Sequence, residues 1–408
     1  MTQKIHFFFS LQYFILLLIF ALIPKSSMML AYIIEIGLFT FMTMIYAKRI
    51  KGLFWTIDEG VKVIKCMIAL FLLSLIFLYL SFRNLADYWN IINLEYNKLY
   101  IPRHYFIIVQ YFISIGLGYS LYRSGFLTQT KNKWIILFLI ATFLATSSNF
   151  ATNSKSYSTV IVLIVSLLGI RNKFFLIILP FLGIFFTGSS TYVLAIIALT
   201  AIIYFKQQIS GHLRKHGKTK LFIWGIVFFI LILFISTIIS ETVDADANAS
   251  WRLIVWKNEL ATLAKTYYTG VGFGTAYVSN SIFAETDNLN MYLNAENGYL
   301  EGIFIVANHN SVLNMFYRMG LIGGTLFILI NVYLLSWCLF VNKNTKGKKN
   351  AYLWWAVANY IFNFIVILFN PGLEMMQFSV GYQLSLAILL SLLFQYSAEI
   401  KILTTNKK

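Results

Sequence analysis

Three groups of residues in the C-terminal half combine side chains able to do chemistry. Arg252, Trp256, Glu259 and Leu263 follow one another at i, i+4, i+7 and i+11, which puts a guanidinium, an indole and a carboxylate on one side of a helix. Ser250, just ahead of them, is a residue type that caps helix starts. Gly270-Val271-Gly272-Phe273-Gly274 is the second group. Without side chains, the Gly272 and Gly274 amides can approach a phosphate, and the same glycines also read as a plain helix stop. No strand–turn–helix unit surrounds them, so a dinucleotide fingerprint is excluded. The third group is Asn308-His309-Asn310-Ser311. A histidine near its ordinary pKa of about 6.5 can move protons at neutral pH; helix capping and packing form the structural alternative. Asn310, Asn314 and Arg318 then recur every four residues, a polar stripe on an apolar helix. Such a stripe faces a cavity or another helix, unless Arg318 snorkels to an interface.

The elements that must position these groups are membrane helices. The chain has 408 residues, of which 59% are apolar and only 12% charged, with a mean hydropathy of +0.74. A soluble domain carries about 25% charge. Runs such as Ile64–Leu80 do not alternate apolar with polar residues, which rules out a transmembrane barrel. The expected fold is all-α and polytopic, with about twelve transmembrane helices. The candidate spans are 7–23, 28–46, 61–82, 104–122, 134–147, 157–170, 174–187, 189–205, 221–240, 311–340, 351–369 and 379–396. The run 311–340 is long enough to begin outside the bilayer. Phe7–Ile23 lacks a small-residue cleavage pattern and reads as a retained first helix. Glu35 falls inside the second span, where a charge costs roughly 2.5–3.5 kcal/mol on insertion scales.

Charge orients the bundle. With the N-terminus inside, 23 of the 32 basic residues fall in inner connectors and 9 outside. That bias fits an even number of spans with both termini in the cytoplasm. It also accounts for the net charge of +17 without nucleic acid. Cys66 and Cys338 both lie in apolar runs, so no disulfide is expected. The chain divides into helices 1–9 over residues 1–240, an outer loop over 241–310, and helices 10–12 with a cytoplasmic tail over 311–408. Eight of the fifteen acidic residues lie in 241–308. The loop is too rich in apolar residues for disorder and is the longest connector.

His309-Asn310, nine residues, Gly320, two residues and Gly323 resembles the signature of the O-antigen ligase and O-antigen polymerase family of bacterial membrane glycosyltransferases. The layout of about twelve helices, with a large periplasmic loop between the ninth and tenth, is similar too, as is the Arg252 helix followed by its glycine run. One departure stands out. Where family members carry a Thr-x-Ser-Arg-Gly-like turn, this chain reads Thr187-Gly188-Ser189-Ser190-Thr191. Lys155, Arg103 and Arg318 are candidate replacements for the missing arginine.

The resemblance implies an enzyme of the inner membrane that transfers a glycan from undecaprenyl diphosphate to a sugar hydroxyl at the periplasmic face. It implies His309 as base and Arg252 at the diphosphate, with Arg318 as a second cation and Asn310, Gly272 and Gly274 as substrate contacts. It implies no metal and no cofactor. The partners are the lipid-linked oligosaccharide, the bilayer and a chain-length regulator, with no nucleic acid. A polymerase extends another lipid-linked unit, whereas a ligase uses the lipid A core; the polymerase is the favoured expectation. A lipid-linked sugar transporter would show internal repeats and helices broken at the midplane, and the sequence displays neither.

Overall fold

The computed structural model describes residues 2–22, 25–87, 94–127, 162–170, 172–179, 190–215, 247–275, 310–369, 373–374 and 376–405. Every regular element among them is a helix. They are α1 (Thr2–Leu22), α2 (Lys25–Ile45), α3 (Ala47–Phe54), α4 (Asp58–Asp87), α5 (Leu94–Ser124), α6 (Ser190–Tyr204), α7 (Lys206–Lys215), α8 (Ala247–Lys265), α9 (Ser311–Asn344), α10 (Gly347–Phe369) and α11 (Met376–Thr405). Among the described residues, five stretches are long and apolar enough to cross a membrane, and six if the bent pair α6–α7 is one span. The expected spans 134–147 and 221–240, and most of the outer loop, lie outside the described residues.

Helix α5 is the axis of the bundle, packing against α1, α2, α4 and α11. Gly116 and Gly118 permit this. A side chain at Gly116 would come within 2.7 Å of the Phe39 carbonyl on α2, and one at Gly118 within 2.9 Å of the Ala387 carbonyl on α11. In lipid there is little hydrophobic force between helices, so close backbone approach supplies the packing. Polar side chains add to it: Ser10 and Ser120 hydroxyls meet at 3.0 Å, Trp337 Nε1 donates to Ser397 Oγ at 2.9 Å, and Trp355 Nε1 donates to Ser166 Oγ at 3.0 Å. By contrast α4 turns Ile68, Leu72, Ile76 and Tyr79 outward, the face expected against lipid. Both cysteines are free.

Two helices differ from the sequence expectation. The 206–220 connector contains α7, bent 71° from α6 and tied to the far end of α9 by Asn342 Nδ2 donating to Ser210 Oγ at 3.1 Å. Helix α9 is broken: Met319 and Gly320 leave helical geometry, with Gly320 at φ 66° and ψ −167°. The sequence offered no sign of a broken helix. After the break, Leu321–Asn344 is about 36 Å long at about 1.5 Å per residue, enough to cross a hydrocarbon core of about 30 Å alone. The break therefore sits toward one end of the bundle, away from the midplane position a transporter requires.

The charge asymmetry makes a simple prediction about sidedness. In intact cells with a permeabilised outer membrane, Tyr267→Cys, whose parent side chain is 88% exposed, is modified by a membrane-impermeant maleimide. Lys401→Cys reacts only after lysis. Labelling of both from one side would overturn the orientation.

Candidate functional site

The glycine run after α8 docks onto the break in α9. Tyr267 and Tyr268 follow α8 in the left-handed region, at φ 52° and 60°, and the chain then crosses one end of the bundle. Val271 N–H donates to the Tyr317 carbonyl at 2.9 Å, Gly272 N–H to the Arg318 carbonyl at 2.9 Å, and Leu321 N–H to the Tyr268 carbonyl at 2.9 Å. Breaking the helix frees carbonyls 317 and 318 from their own turn, and the loop satisfies them. Gly270 and Gly320 touch backbone to backbone. A side chain on Gly270, at φ 89°, would meet the Gly320 nitrogen, and one on Gly320 would meet the Tyr268 and Thr269 carbonyls.

Beneath this contact lies a buried polar cluster. Arg318 is fully buried. Its Nη1 donates to the Gly272 carbonyl at 3.2 Å and to the Thr275 carbonyl, while Nη2 lies 3.2 Å from His104 Nε2. His104 Nδ1 accepts from the Gly274 N–H at 3.0 Å, which leaves Nε2 to carry the ring proton toward Glu374 Oε1 at 3.1 Å. Arg103 Nε is 3.4 Å from the same carboxylate oxygen, and Asn314 Nδ2 donates to Glu374 Oε2 at 3.3 Å. The 373–374 turn is held by Leu373, whose N–H donates to Ser311 Oγ at 3.2 Å and whose carbonyl accepts from Gln110. Burial alone pushes the Glu374 carboxyl up, but Arg103, His104 and Arg318 outweigh it and hold it at about 2.

Each sequence-derived candidate can now be placed. Arg318 turns inward and grips the loop carbonyls. The Gly272 and Gly274 amides donate within the protein, to Arg318 and His104. Asn310 caps α9, its Oδ1 accepting from Val312 N–H at 3.1 Å and Leu313 N–H at 3.0 Å. The stripe of Asn310, Asn314 and Arg318 is buried throughout and serves α9 and its neighbours. Arg252 is half-buried on α8, on the side that buries Val255, Glu259 and Leu263. That helix begins at Ala247, so Ser250 lies inside it and does not cap its start. His309 lies outside the described residues, as does Lys155.

Residues 175–328 match the O-antigen ligase family model. The match supports the O-antigen ligase and polymerase family, whose members are glycosyltransferase-like enzymes of the bacterial membrane. No curated protein matches the chain. The matched O-antigen ligase segment contains the Arg252 helix, the glycine run, His309, Arg318 and the Gly320–Gly323 pair. It does not contain Arg103, His104 or Glu374, which the cluster recruits from α5 and from the turn after α10.

His104 and Glu374 escaped the sequence reading. Their signals were faint: an Arg103-His104 pair after Pro102 at the start of one span, and a lone acid between two others. The cluster sets a pH dependence. A carboxyl held below its ordinary 4.5 contributes stability that is complete above that value and is lost as pH falls through about 2. Glu374→Gln removes the carboxylate charge set between buried Arg318 and partly exposed Arg103 and costs about 3–5 kcal/mol at pH 7. Thermal unfolding in detergent at pH 7, 4.5 and 3 shows the gap to wild type narrowing only below 4.5; a gap independent of pH contradicts this role.

Proposed function

We propose that the chain is a polysaccharide polymerase that joins undecaprenyl-diphosphate-linked repeat units at the periplasmic face of the inner membrane. The acceptor hydroxyl oxygen attacks the anomeric carbon of the donor sugar, the bond from that carbon to the diphosphate oxygen breaks, and undecaprenyl diphosphate leaves. His309 takes the hydroxyl proton. Arg252 holds the departing diphosphate, because a planar, permanently charged guanidinium suits phosphate oxygens. The observation that carries this reading is the docking of the glycine run on the α9 break, inside the segment that matches the O-antigen ligase family. It joins the helix bearing Arg252 to the helix whose first turn follows His309.

Arg318, Asn310, Gly272 and Gly274 act in this scheme by fixing the walls of the site and by the charge of Arg318, since Arg318 Nη1 and the Gly272 and Gly274 amides donate, and Asn310 Oδ1 accepts, within the protein. Arg103 is the better replacement for the arginine missing at Ser190, because its side chain keeps 22% exposure whereas Arg318 keeps none. Transfer to the lipid A core, the ligase reaction, uses the same donor chemistry and differs only in the acceptor. The position of the α9 break toward one end of the bundle speaks against a transporter.

His309→Ala and Arg252→Ala abolish long-chain glycan in a complemented deletion strain while inserted protein stays at wild-type levels. Normal chain lengths in His309→Ala overturn the assignment of the base. The deletion strain itself shows core plus a single repeat if a polymerase is lost, and bare core if a ligase is lost. The loop contains one Asp-x-Asp pair, Asp244 and Asp246, which lies outside the described residues. Full transfer by purified enzyme in the presence of a chelator is the outcome expected of a metal-independent site.

A further inference from the structure

An apolar groove runs between α2, α3, α4 and α5, from Lys51 at the basic end of the bundle to Ile108, one turn along α5 from His104. Its volume is about 230 Å³, several times the roughly 30 Å³ share of one water. Its walls are almost wholly hydrocarbon, with Ala47, Ile50, Met67, Phe71 and Ile115 among them, and Lys51 stands at its rim. The groove follows α4 from Ile64 to Phe71 and α5 from Ile115 back to Ile108, about 10 Å along each axis. That depth fits one leaflet of a hydrocarbon core about 30 Å thick. Ile68, one of its lining residues, is exposed on the outer face of α4 together with Leu72.

The rim is cationic and built for an interface. Helix α3 buries Ile50 and Phe54 while Lys48, Arg49 and Lys51 are exposed, an arrangement that lies flat at a membrane surface. Lys51 Nζ sits 5.2 Å over the ring of Trp55, which is itself 51% exposed, as interfacial tryptophans are. Lys62 and Lys65, at the start of α4, are exposed too. An apolar slot with Lys51 at its rim, and with Lys48 and Arg49 exposed on the same short helix, complements an anionic lipid of the inner leaflet.

We propose that this groove is a binding site for an anionic glycerophospholipid, one acyl chain lying along α4 and α5 and the phosphate meeting Lys48, Arg49 and Lys51. The site does not depend on the glycosyl-transfer reading, and its test does not use glycan synthesis. Full-length protein purified in detergent is incubated with phosphatidylglycerol, phosphatidylcholine or undecaprenyl phosphate, and retained lipid is counted by native mass spectrometry. Wild type retains phosphatidylglycerol at least about tenfold over phosphatidylcholine, and the preference fades with salt. Replacing Lys48, Arg49 and Lys51 together with Gln removes the preference without changing the melting temperature in phosphatidylcholine. Ala47→Phe, which fills the groove, lowers retention of both phospholipids. Equal retention of the two by wild type overturns the proposal, as does an unchanged preference in the triple variant or stronger retention of undecaprenyl phosphate.

Discussion

At Gly320 the backbone of α9 swings to φ 66° and ψ −167°, a conformation that any side chain would strain by about 1–3 kcal/mol. Into the gap comes Gly270, so close that neither residue has room for a β-carbon. The rest of this end of the bundle depends on the contact between two bare backbones. It exposes the carbonyls of Tyr317 and Arg318, offers them to the amides of Val271 and Gly272, and turns the Arg318 side chain under the loop to hold the Gly272 and Thr275 carbonyls. The glycine run is thereby fixed to the helix that follows His309 in sequence.

A second constraint follows from the first. Turning Arg318 inward takes a guanidinium out of water, which is tolerable only with a counter-charge and good hydrogen bonds. Glu374 supplies the charge, through His104 and beside Arg103. The cluster thus ties α9 to α5, the axis of the bundle, and to the turn between α10 and α11. Three distant parts of the chain meet at one carboxylate. That convergence fixes α5, α9 and the turn after α10 around a buried ion-pair cluster at one end of the bundle.

Much of this was legible in the sequence, and the remainder was hidden for physical reasons. Apolar runs near twenty residues announced α2, α4, α5, α9, α10 and α11, because lipid imposes that length. The four-residue spacing of Asn310, Asn314 and Arg318 announced an inward stripe. Its destination was not readable: Glu374 lies sixty residues beyond Asn314 and His104 more than two hundred residues before Arg318, and helical periodicity reports nothing about such separations. The glycines at 270, 272 and 274 read as a turn, and Gly320 as half of a signature. Only their backbone angles and mutual approach show that the two features are one contact. Helix α7, KQQISGHLRK, passed for a polar connector because it is short and lies outside the apolar pattern.

The account turns on the docking of the glycine run against the α9 break, and a distance measured across that contact tests it most directly. Spin labels at Tyr267 and Ile322, both exposed, flank the bond from Leu321 N–H to the Tyr268 carbonyl. In active protein with Cys66 and Cys338 replaced by Ser, they give a single narrow short-distance population by pulsed electron resonance. Gly320→Ala broadens it toward longer distances and lowers glycan transfer together. A broad or long distribution in the active parent protein, or an unchanged narrow one in Gly320→Ala, contradicts the account.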